Sequence, residues 1–374
     1  MTVDRRRLTE TFFDLVRIDS PTFEEADVIA FISRELASLG IKAQSDSAAE
    51  KIGGNSGNLI AHLPGDRNKP AIFINCHVDT VEPGRGIEPR ETDGIIAAAG
   101  ETILGADDKA GAAALLELAR VLASRPTEAR GHVDLVFSVA EERGLLGVKN
   151  LDHTLVTGEY GFVLDAAGRV GDITITAPYQ DTIEAVFIGR AAHAGVNPEQ
   201  GVSAIRAAAA AVNSMSLGRV DDRTTANIGI IEGGRAVNIV PEKTLVKGEA
   251  RSLDAAGLER QTRAMVAAMR EAADDFGATV EVEVVREYDG FDLSKDALIV
   301  RWAADALRAI GVEPAFVATG GGSDTNVFNM LGIPTINLGA GYRAPHTVDE
   351  SISAAELERI ACAAVAIVET VARD

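Results

Sequence analysis

Apolar positions in the first half of the chain follow two alternating patterns. Helical spacing predicts helices at residues 8–18 and 24–39, and the second is followed by Gly40, a residue typical of helix C-termini. A further helix is predicted after Asp108, and largely apolar runs predict buried strands at residues 58–63, 71–78, 132–139 and 161–165. Strands that alternate with helices favour an α/β layered sheet, in which ligands gather at the carboxyl ends of the strands.

The pattern changes after Ala177. Apolar and polar residues then alternate, as in antiparallel strands with one face in solvent, at residues 181–189, 225–231, 244–251 and 279–286. Helical spacing predicts two long helices in the same part of the chain, at residues 198–215 and 253–276. Strands in one layer and helices in the other indicate a separate α+β domain.

From residue 291 onward the α/β pattern returns. It predicts a helix at residues 296–310, a glycine-rich turn at 320–324, a strand at 335–338 and a closing helix at 354–371. We therefore predict an α+β domain at residues 178–290, inserted into an α/β domain formed by residues 1–177 and 291–374.

Composition narrows the class of protein. A chain of 374 residues exceeds what one core usually organises, and its net charge of -20 argues against nucleic acid or an anionic membrane as partner. Cys76 and Cys362 both lie in apolar surroundings, which favours reduced thiols over a disulfide. The charged N-terminus precedes no apolar stretch, and no segment is apolar and long enough to cross a bilayer. We expect a soluble cytoplasmic protein.

The strand predicted at residues 71–78 ends in candidate chemistry. His77 and Asp79 are two positions apart and share a face if the strand continues. The imidazole could bind a metal while the carboxylate holds its other ring nitrogen. For the pair alone, a core histidine beside a solvated aspartate is the favoured interpretation, so the metal hypothesis depends on further ligands.

Four other segments supply such ligands. Each has a simpler interpretation alone, as a helix cap at Asp108, an acidic turn or an incidental histidine, but together they add Asp107, Glu141, Glu142, Asp165 and His346. Two histidines with several carboxylates suit Zn²⁺, Co²⁺ or Mn²⁺, and a bridging aspartate would allow two ions. Two ions would acidify a bridging water, and a remaining glutamate could carry its proton to a leaving amine. The reaction implied is amide hydrolysis.

These five segments resemble, in order and spacing, the M20 metallopeptidase family, which includes dizinc aminopeptidases, carboxypeptidases and deacylases. The resemblance implies a mixed-sheet α/β dinuclear zinc exopeptidase domain with an inserted α+β lid that usually makes a homodimer. It implies that His77 and Asp165 hold one metal ion and that Glu142 and His346 hold the other. Asp107 would bridge the two ions.

By the same resemblance, Asp79 would orient His77 and Glu141 would be the general base. The segment at residues 105–111 resembles the peptidase T branch of tripeptide aminopeptidases, whereas acylase and desuccinylase branches typically carry methionine in place of Asp108. We expect an aminopeptidase acting on short peptides. The alternatives are an N-acyl-amino-acid amidohydrolase or carboxypeptidase of the same family, and a catalytically silent dimeric binding protein, against which Glu141 argues.

The inserted domain carries further candidates. His193 lies among small residues on a predicted loop, where a surface histidine is the simpler interpretation, but the family's lid has a similar His-x-Gly that donates to the oxyanion in the partner's active site. Arg251 could grip a substrate carboxylate with two hydrogen bonds, and Asn238 could add a third. Asn238 alternatively shapes the turn before Pro241.

The glycine-rich turn at residues 320–324 is not a phosphate loop, because no Gly-Lys-Ser/Thr follows it. We expect it to contact substrate through backbone at Gly322 or through the hydroxyl of Ser323. Asp324 could equally cap the following helix.

Overall fold

The computed structural model describes residues 2–374. Its α-helices are α1 (Arg5–Arg17), α2 (Ala26–Ser38), α3 (Ala48–Ile52), α4 (Ala106–Ala123), α5 (Leu146–Lys149), α6 (Ala204–Ser214), α7 (Ala255–Asp275), α8 (Leu298–Ala309), α9 (Asp324–Met330) and α10 (Ala354–Val371). Short 3₁₀ turns form at Thr127–Ala129, His153–Leu155 and Pro198–Gln200. Within residues 2–374, no helix has the length and apolar character needed to cross a bilayer.

The strands begin with β1 (Ala43–Ser45), β2 (Leu59–Leu63), β3 (Ile72–His77), β4 (Pro89–Thr92), β5 (Ile95–Ala98), β6 (Val133–Ser138), β7 (Tyr160–Ala166), β8 (Asp172–Ala177) and β9 (Tyr179–Ile188). They continue with β10 (Gly218–Arg219), β11 (Thr224–Gly233), β12 (Lys243–Ser252), β13 (Thr279–Tyr288), β14 (Phe291–Asp292), β15 (Ala315–Ala318), β16 (Thr335–Gly339), β17 (Tyr342–Arg343) and β18 (Ser351–Ser353).

The chain divides into two compact units. The first comprises residues 2–175, 293–318 and 323–374, and the second comprises Thr176–Asp292 with Thr319–Gly322. Residues 320–322 of the glycine-rich turn therefore lie with the second unit, whereas the sequence pattern placed the whole turn in the α/β domain. The reason is local packing: the Arg251 guanidinium donates to the carbonyl oxygen of Gly320 at 3.3 Å, and Gly322 lies so close to the Tyr288 ring that a Cβ would stand 2.1 Å from it.

A mixed sheet organises the first unit, with strand order β1-β2-β6-β3-β7-β16-β8 and β15 also paired to β8. The central strands β6, β3, β7 and β16 run parallel, while β1, β2 and β8 are antiparallel to their neighbours. Every residue of β3 is buried, as expected of a parallel strand covered on both faces. Ile72, Ile74 and Cys76 join the main core, while Phe73 packs on Phe328 of α9 with ring centroids 4.4 Å apart.

A small four-stranded sheet, ordered β17-β18-β5-β4, belongs to the same unit. Its strands are only two to four residues long, too short for periodicity in the sequence to reveal them. The hairpin of β17 and β18 matters most, because the loop between its strands carries His346.

The second unit contains a five-stranded antiparallel sheet, ordered β10-β11-β12-β9-β13, with α6 and α7 packed on it around a core of their own. Within this unit β14 pairs with the last residues of β8. The single helix predicted at residues 198–215 is wrong in its first part. Pro198–Gln200 forms one 3₁₀ turn, Val202 then pairs with Arg190 as an isolated bridge, and α6 begins only after Ser203, whose hydroxyl caps the helix.

Candidate metal centre and active site

Three parallel strands deliver candidate ligands to one edge of the sheet. His77 is the last residue of β3, Asp165 lies near the end of β7, and Glu141 and Glu142 follow β6. Since the carboxyl ends of parallel strands meet at the same edge, these residues are brought together by topology. Asp107 arrives from the start of α4, where its backbone is still non-helical.

The Asp107 carboxylate lies between two histidines. Its Oδ1 is 3.1 Å from Nε2 of His77, and its Oδ2 is 3.2 Å from Nε2 of His346. Each histidine also faces one further carboxylate. Nε2 of His77 is 3.5 Å from Oδ1 of Asp165, and Nε2 of His346 is 2.9 Å from Oε1 of Glu142.

These atoms form two sets of three donors that share Asp107. Ligands bound to one Zn²⁺ ion at about 2.0–2.2 Å stand roughly 3.3 Å apart in a tetrahedral site. The separations of 2.9–3.5 Å observed here bracket that value. The donor set is also the mixture of imidazole and carboxylate that borderline divalent cations prefer. The five residues therefore fit a pair of divalent metal ions.

The electrostatics of the cluster point the same way. Burial raises the pKa of Asp165 to about 7, against the opposing effect of His77. The pKa of His346 rises to about 10 because Asp107 and Glu142 accept hydrogen bonds from it. In His77, neighbouring carboxylates outweigh burial and raise the pKa well above its usual range. Ligands must lose their protons to bind a metal, so divalent cations would compete with protons for these buried groups.

Asp79 contacts both His77 and the glutamate pair. Nδ1 of His77 is 3.0 Å from the main-chain oxygen of Asp79 and 3.4 Å from its carboxylate. The carboxylate, which is fully buried, accepts hydrogen bonds from the amide of Glu141 at 2.9 Å, the amide of Glu142 at 3.2 Å and the hydroxyl of Thr22 at 2.8 Å. Asp79 therefore holds the turn that presents the two glutamates, a contact that the sequence did not reveal.

Glu141 and Glu142 face different partners. Glu142 pairs with His346, whereas Glu141 is buried beside the cluster, and burial with the nearby charge of Asp165 raises its pKa well above the usual range. A carboxylate next to the ligand sets can accept a proton from a reacting water.

Glu350 supports the Asp107 loop and was missed by sequence reasoning. Its carboxylate accepts hydrogen bonds from three main-chain amides of this loop, those of Leu104 at 2.8 Å, Gly105 at 2.7 Å and Asp107 at 2.9 Å. No local pattern points to this residue, because its partners lie more than 240 positions away.

Tyr342, which precedes the His346 loop, was also missed. Its hydroxyl lies 3.1 Å from Oδ1 of Asp107 and 3.1 Å from Oδ1 of Asp165, and it donates to the main-chain oxygen of Asp165 at 2.9 Å. The ring is buried, so the hydroxyl is held against two candidate ligands.

The start of α9 is capped by Ser323, not by Asp324. The Ser323 amide donates to the side chain of Asn326 at 3.1 Å, and its hydroxyl accepts from Asn337 at 3.1 Å. Asp324 instead accepts a hydrogen bond of 2.5 Å from the hydroxyl of Ser138, and burial raises its pKa to about 6. Both polar groups of Ser323 are thus engaged in structure, and its substrate role stays a prediction.

In the second unit, His193 and Asn238 lie on adjoining loops. His193 pairs with Ile239 as an isolated bridge, and the amide of Ala194 donates to the main-chain oxygen of Asn238 at 3.0 Å. Nδ1 of His193 accepts from the amide of Gly195 at 3.1 Å. That contact places the ring proton on Nε2, so the exposed imidazole can act as a hydrogen-bond donor.

Arg251 lies elsewhere in the second unit and already has a carboxylate partner. Its guanidinium binds both oxygens of Glu249, at 3.1 and 2.9 Å, in addition to the contact with Gly320. Gly322 is required for packing against Tyr288. The predicted substrate contacts of Arg251, Asn238 and Gly322 remain predictions.

A mixed α/β sheet with paired imidazole and carboxylate sets at its ligand-binding edge is the arrangement of a metal-dependent hydrolase. Residues 73–370 match the sequence model of peptidase family M20/M25/M40, and the chain belongs to that family. It is a metallopeptidase, and the family resemblance inferred from the five sequence segments is confirmed.

Similar proteins match this chain over almost its whole length. The uncharacterized protein YqjE of Bacillus subtilis is 42% identical and is matched over 99% of this chain and 100% of its own length. The crystal structure of aminopeptidase PepT from Bacillus cereus has a TM-score of 0.89 and 42% identity, with 99% of each chain covered. A tripeptidase from Staphylococcus aureus has a TM-score of 0.94 and 37% identity, with 100% of each chain covered. The predicted mixed-sheet α/β fold is confirmed.

Proposed function

We propose that this metallopeptidase removes the N-terminal residue from short peptides, with tripeptides as its main substrates. The observation that carries the proposal is the position of Asp107, each of whose oxygens meets one histidine and thereby links two ligand sets. Support for the aminopeptidase branch comes from two solved relatives described as PepT aminopeptidase and tripeptidase, both similar over the full chain.

Five side chains would hold two divalent ions, most favourably Zn²⁺, although Co²⁺ and Mn²⁺ accept the same donors. His77 and Asp165 would bind one ion, His346 and Glu142 the other, and Asp107 both. When bound, the ions would supply Lewis-acid chemistry that acidifies water and polarises the scissile carbonyl. Asp79 and Glu350 would keep this cage in place through the main-chain amides that they bind.

Glu141 would act as the general base. Its neighbour Glu142 is occupied by His346, which leaves Glu141 to accept a proton from water and pass it to the amine that departs. The Asp79 carboxylate fixes the Glu141 amide at 2.9 Å and so limits where the side chain can reach.

His193 would stabilise the oxyanion of the reaction from its Nε2, in the active site of the other subunit of a homodimer. Two features of the second unit support this assignment. The Gly195 amide fixes the donor tautomer of the ring. Apolar side chains on strands β11 and β13, namely Ile230, Ile231, Val284 and Val285, are 42–50% exposed and would be covered by a partner. Arg251, Asn238, Gly322 and Ser323 would help to hold the peptide.

We place the enzyme in the cytoplasm. Both cysteines are free in the structure, with Cys76 fully buried, as expected for a protein that keeps its thiols reduced.

The test is a product analysis with metal-reconstituted protein. Tripeptides, dipeptides, N-acetylated tripeptides and N-acyl amino acids are each incubated with the enzyme and with the Glu141→Gln variant. We expect a free N-terminal amino acid and a dipeptide from tripeptides, and no cleavage of the N-acetylated form. Release of the C-terminal residue would instead identify a carboxypeptidase, release of the acyl group an amidohydrolase, and no turnover at all a binding protein.

A further inference from the structure

A second cluster of histidines and a carboxylate lies at the other edge of the mixed sheet. His62 is the fourth residue of β2, and its register partner in β6 is Asp134. Directly opposed residues of an antiparallel pair share a face, and so do residues two apart along a strand. His132, two positions before Asp134, therefore joins the same face.

The three side chains are in direct contact. Nδ1 of His62 and Nε2 of His132 each lie 2.8 Å from the same oxygen, Oδ1 of Asp134, and the two ring centroids are 6.0 Å apart. The Asp134 side chain is fully buried, whereas the imidazoles of His62 and His132 are 32% and 28% exposed. The carboxylate of the cluster is thus buried, while its two imidazoles are partly accessible to solvent.

The second carboxylate oxygen of Asp134 is bound by the loop at Thr157 and Gly158. Oδ2 accepts hydrogen bonds from the amide of Thr157 at 2.6 Å, the Thr157 hydroxyl at 3.0 Å and the amide of Gly158 at 3.1 Å. Burial opposes ionisation of this carboxyl, but hydrogen bonds from His132, His62 and Thr157 outweigh burial, and the pKa lies below its usual range. A carboxylate that is ionised and oriented by backbone amides is the supporting arrangement found around bound metal ions.

We propose that His62, His132 and Asp134 form a third cation site, which binds Zn²⁺ or a similar borderline divalent ion away from the active centre. Two imidazole nitrogens and one carboxylate oxygen are the donors such ions prefer. With bonds of about 2.0–2.2 Å, the two nitrogen–oxygen distances need to open only from 2.8 Å to roughly 3.3 Å. Water completes the coordination on the exposed side.

The position of the site gives the ion a structural role. It joins β2, which carries the edge strand β1, to the central parallel strand β6. His62 also lines a surface cavity of about 600 Å³ together with residues of β1 and the end of α2, and this cavity offers a route for the ion. Asp134 and Ser138 are separated by roughly 13 Å of strand at about 3.3 Å per residue, so the ion would be remote from the catalytic cluster.

The experiment counts metal ions in the full-length protein. Protein stripped with a chelator is reloaded with Zn²⁺, dialysed and measured by inductively coupled plasma mass spectrometry. We expect His62→Gln and His132→Gln to bind one ion fewer than the wild type. The exposed His153, which belongs to neither cluster, provides the control variant His153→Gln, which should keep the wild-type number. The expected difference of one ion is the same whatever number of ions the active centre binds. A negative result here would therefore leave the proposed function untouched, and the reverse also holds.

Two further measurements guard against a folding artefact. Metal-free variants should match the circular dichroism spectrum of the wild type, and Zn²⁺ should raise the melting temperature of the wild type more than that of either variant. Independently of any variant, wild-type crystals grown with Zn²⁺ should show an anomalous difference peak among the three side chains. An equal ion count in the wild type and all three variants, or Zn²⁺-grown crystals without that peak, would overturn the proposal. The cluster would then be only two histidines that hydrogen-bond to the same carboxylate oxygen.

Discussion

The tripeptide His-Val-Asp occurs twice in the chain, at residues 77–79 and 132–134, with different consequences. In the first copy His77 ends strand β3, and its Nε2 faces Asp107 and Asp165 from distant parts of the chain. In the second copy His132 precedes strand β6, and its Nε2 faces Asp134 of the same tripeptide. One copy stands at the edge of the sheet where strands end, and the other where they begin.

Both aspartates are fully buried, and both bind backbone amides of a neighbouring loop. Asp79 accepts from Glu141 and Glu142, whereas Asp134 accepts from Thr157 and Gly158. The first loop carries the proposed base and a proposed metal ligand, whereas the second contributes two main-chain amides and the Thr157 hydroxyl. By our proposals, the same three residues would serve a catalytic centre in one copy and a structural one in the other, according to which loop the aspartate holds.

The largest contrast between the two copies should come from Glu141, because only the first copy has a base beside it. We expect Glu141→Gln to lower kcat by roughly 10²–10⁴-fold, the usual contribution of a positioned general base, while bound metal stays at the wild-type level. Peptide turnover and metal content measured on the same sample test this. The exposed Glu128→Gln is the matched control, and a variant that keeps near wild-type turnover would remove Glu141 from the mechanism.

Replacing each aspartate by asparagine separates the two copies directly. Asp79→Asn turns an amide group toward the Glu141 and Glu142 backbone N–H groups, and we expect a loss in kcat of at least about tenfold besides a destabilisation of about 1–3 kcal/mol. Asp134→Asn should show a similar destabilisation with kcat unchanged. Urea unfolding and steady-state kinetics on both variants give the comparison. Equal losses of activity would show that the two clusters are not functionally distinct.

A substitution at Glu350 tests whether residues outside the His-Val-Asp tripeptide also hold the metal ligands of the His77 cluster in place. Glu350→Gln replaces one of two oxygens that accept amides from the Asp107 loop, and we expect metal affinity to fall by roughly 10-fold or more. Competition with a chromophoric chelator measures the affinity. Glu356→Gln is a suitable control, since Glu356 lies outside the ligand loop at the start of α10. Unaltered affinity would limit Glu350 to a structural role.

The smallest effect concerns the second copy and pH. Because the pKa of Asp134 is lowered in the folded protein, its ionised form contributes stability above the unfolded pKa of about 3.9. That contribution disappears as pH falls through the lower folded value. We expect the stability difference between wild type and Asp134→Asn to be largest near neutral pH and to shrink below about pH 4. Urea unfolding of both proteins at several pH values measures this difference in stability. If the difference grew as the pH fell, Asp134 would not be stabilised in its ionised form.

Much of the first unit could be foreseen because its strands are buried on both faces. The run predicted at residues 71–78 forms Ile72–His77, and that at 132–139 forms Val133–Ser138. Burial on both faces favours a largely apolar sequence, which can be recognised without knowing the neighbouring strands. The hairpin that carries His346 could not be foreseen in this way, because strands of two and three residues are too short for the two-residue strand period to repeat. The helix predicted from residue 198 failed because Gly201 and Val202 adopt extended backbone there.

By itself, the sequence determined which chemical groups stand at strand ends and after glycine turns, since these positions follow from local periodicity. It thereby determined the family and the donor types of the centre. Only the tertiary structure decided that the two oxygens of Asp107 face two different histidines. It also decided that Glu350 and Asp79 bind loops behind the first cluster, and that Asp134 binds the loop at Thr157 behind the second. Those contacts join residues from 23 to 243 positions apart, and their distances depend on strand order and register, which no local pattern specifies.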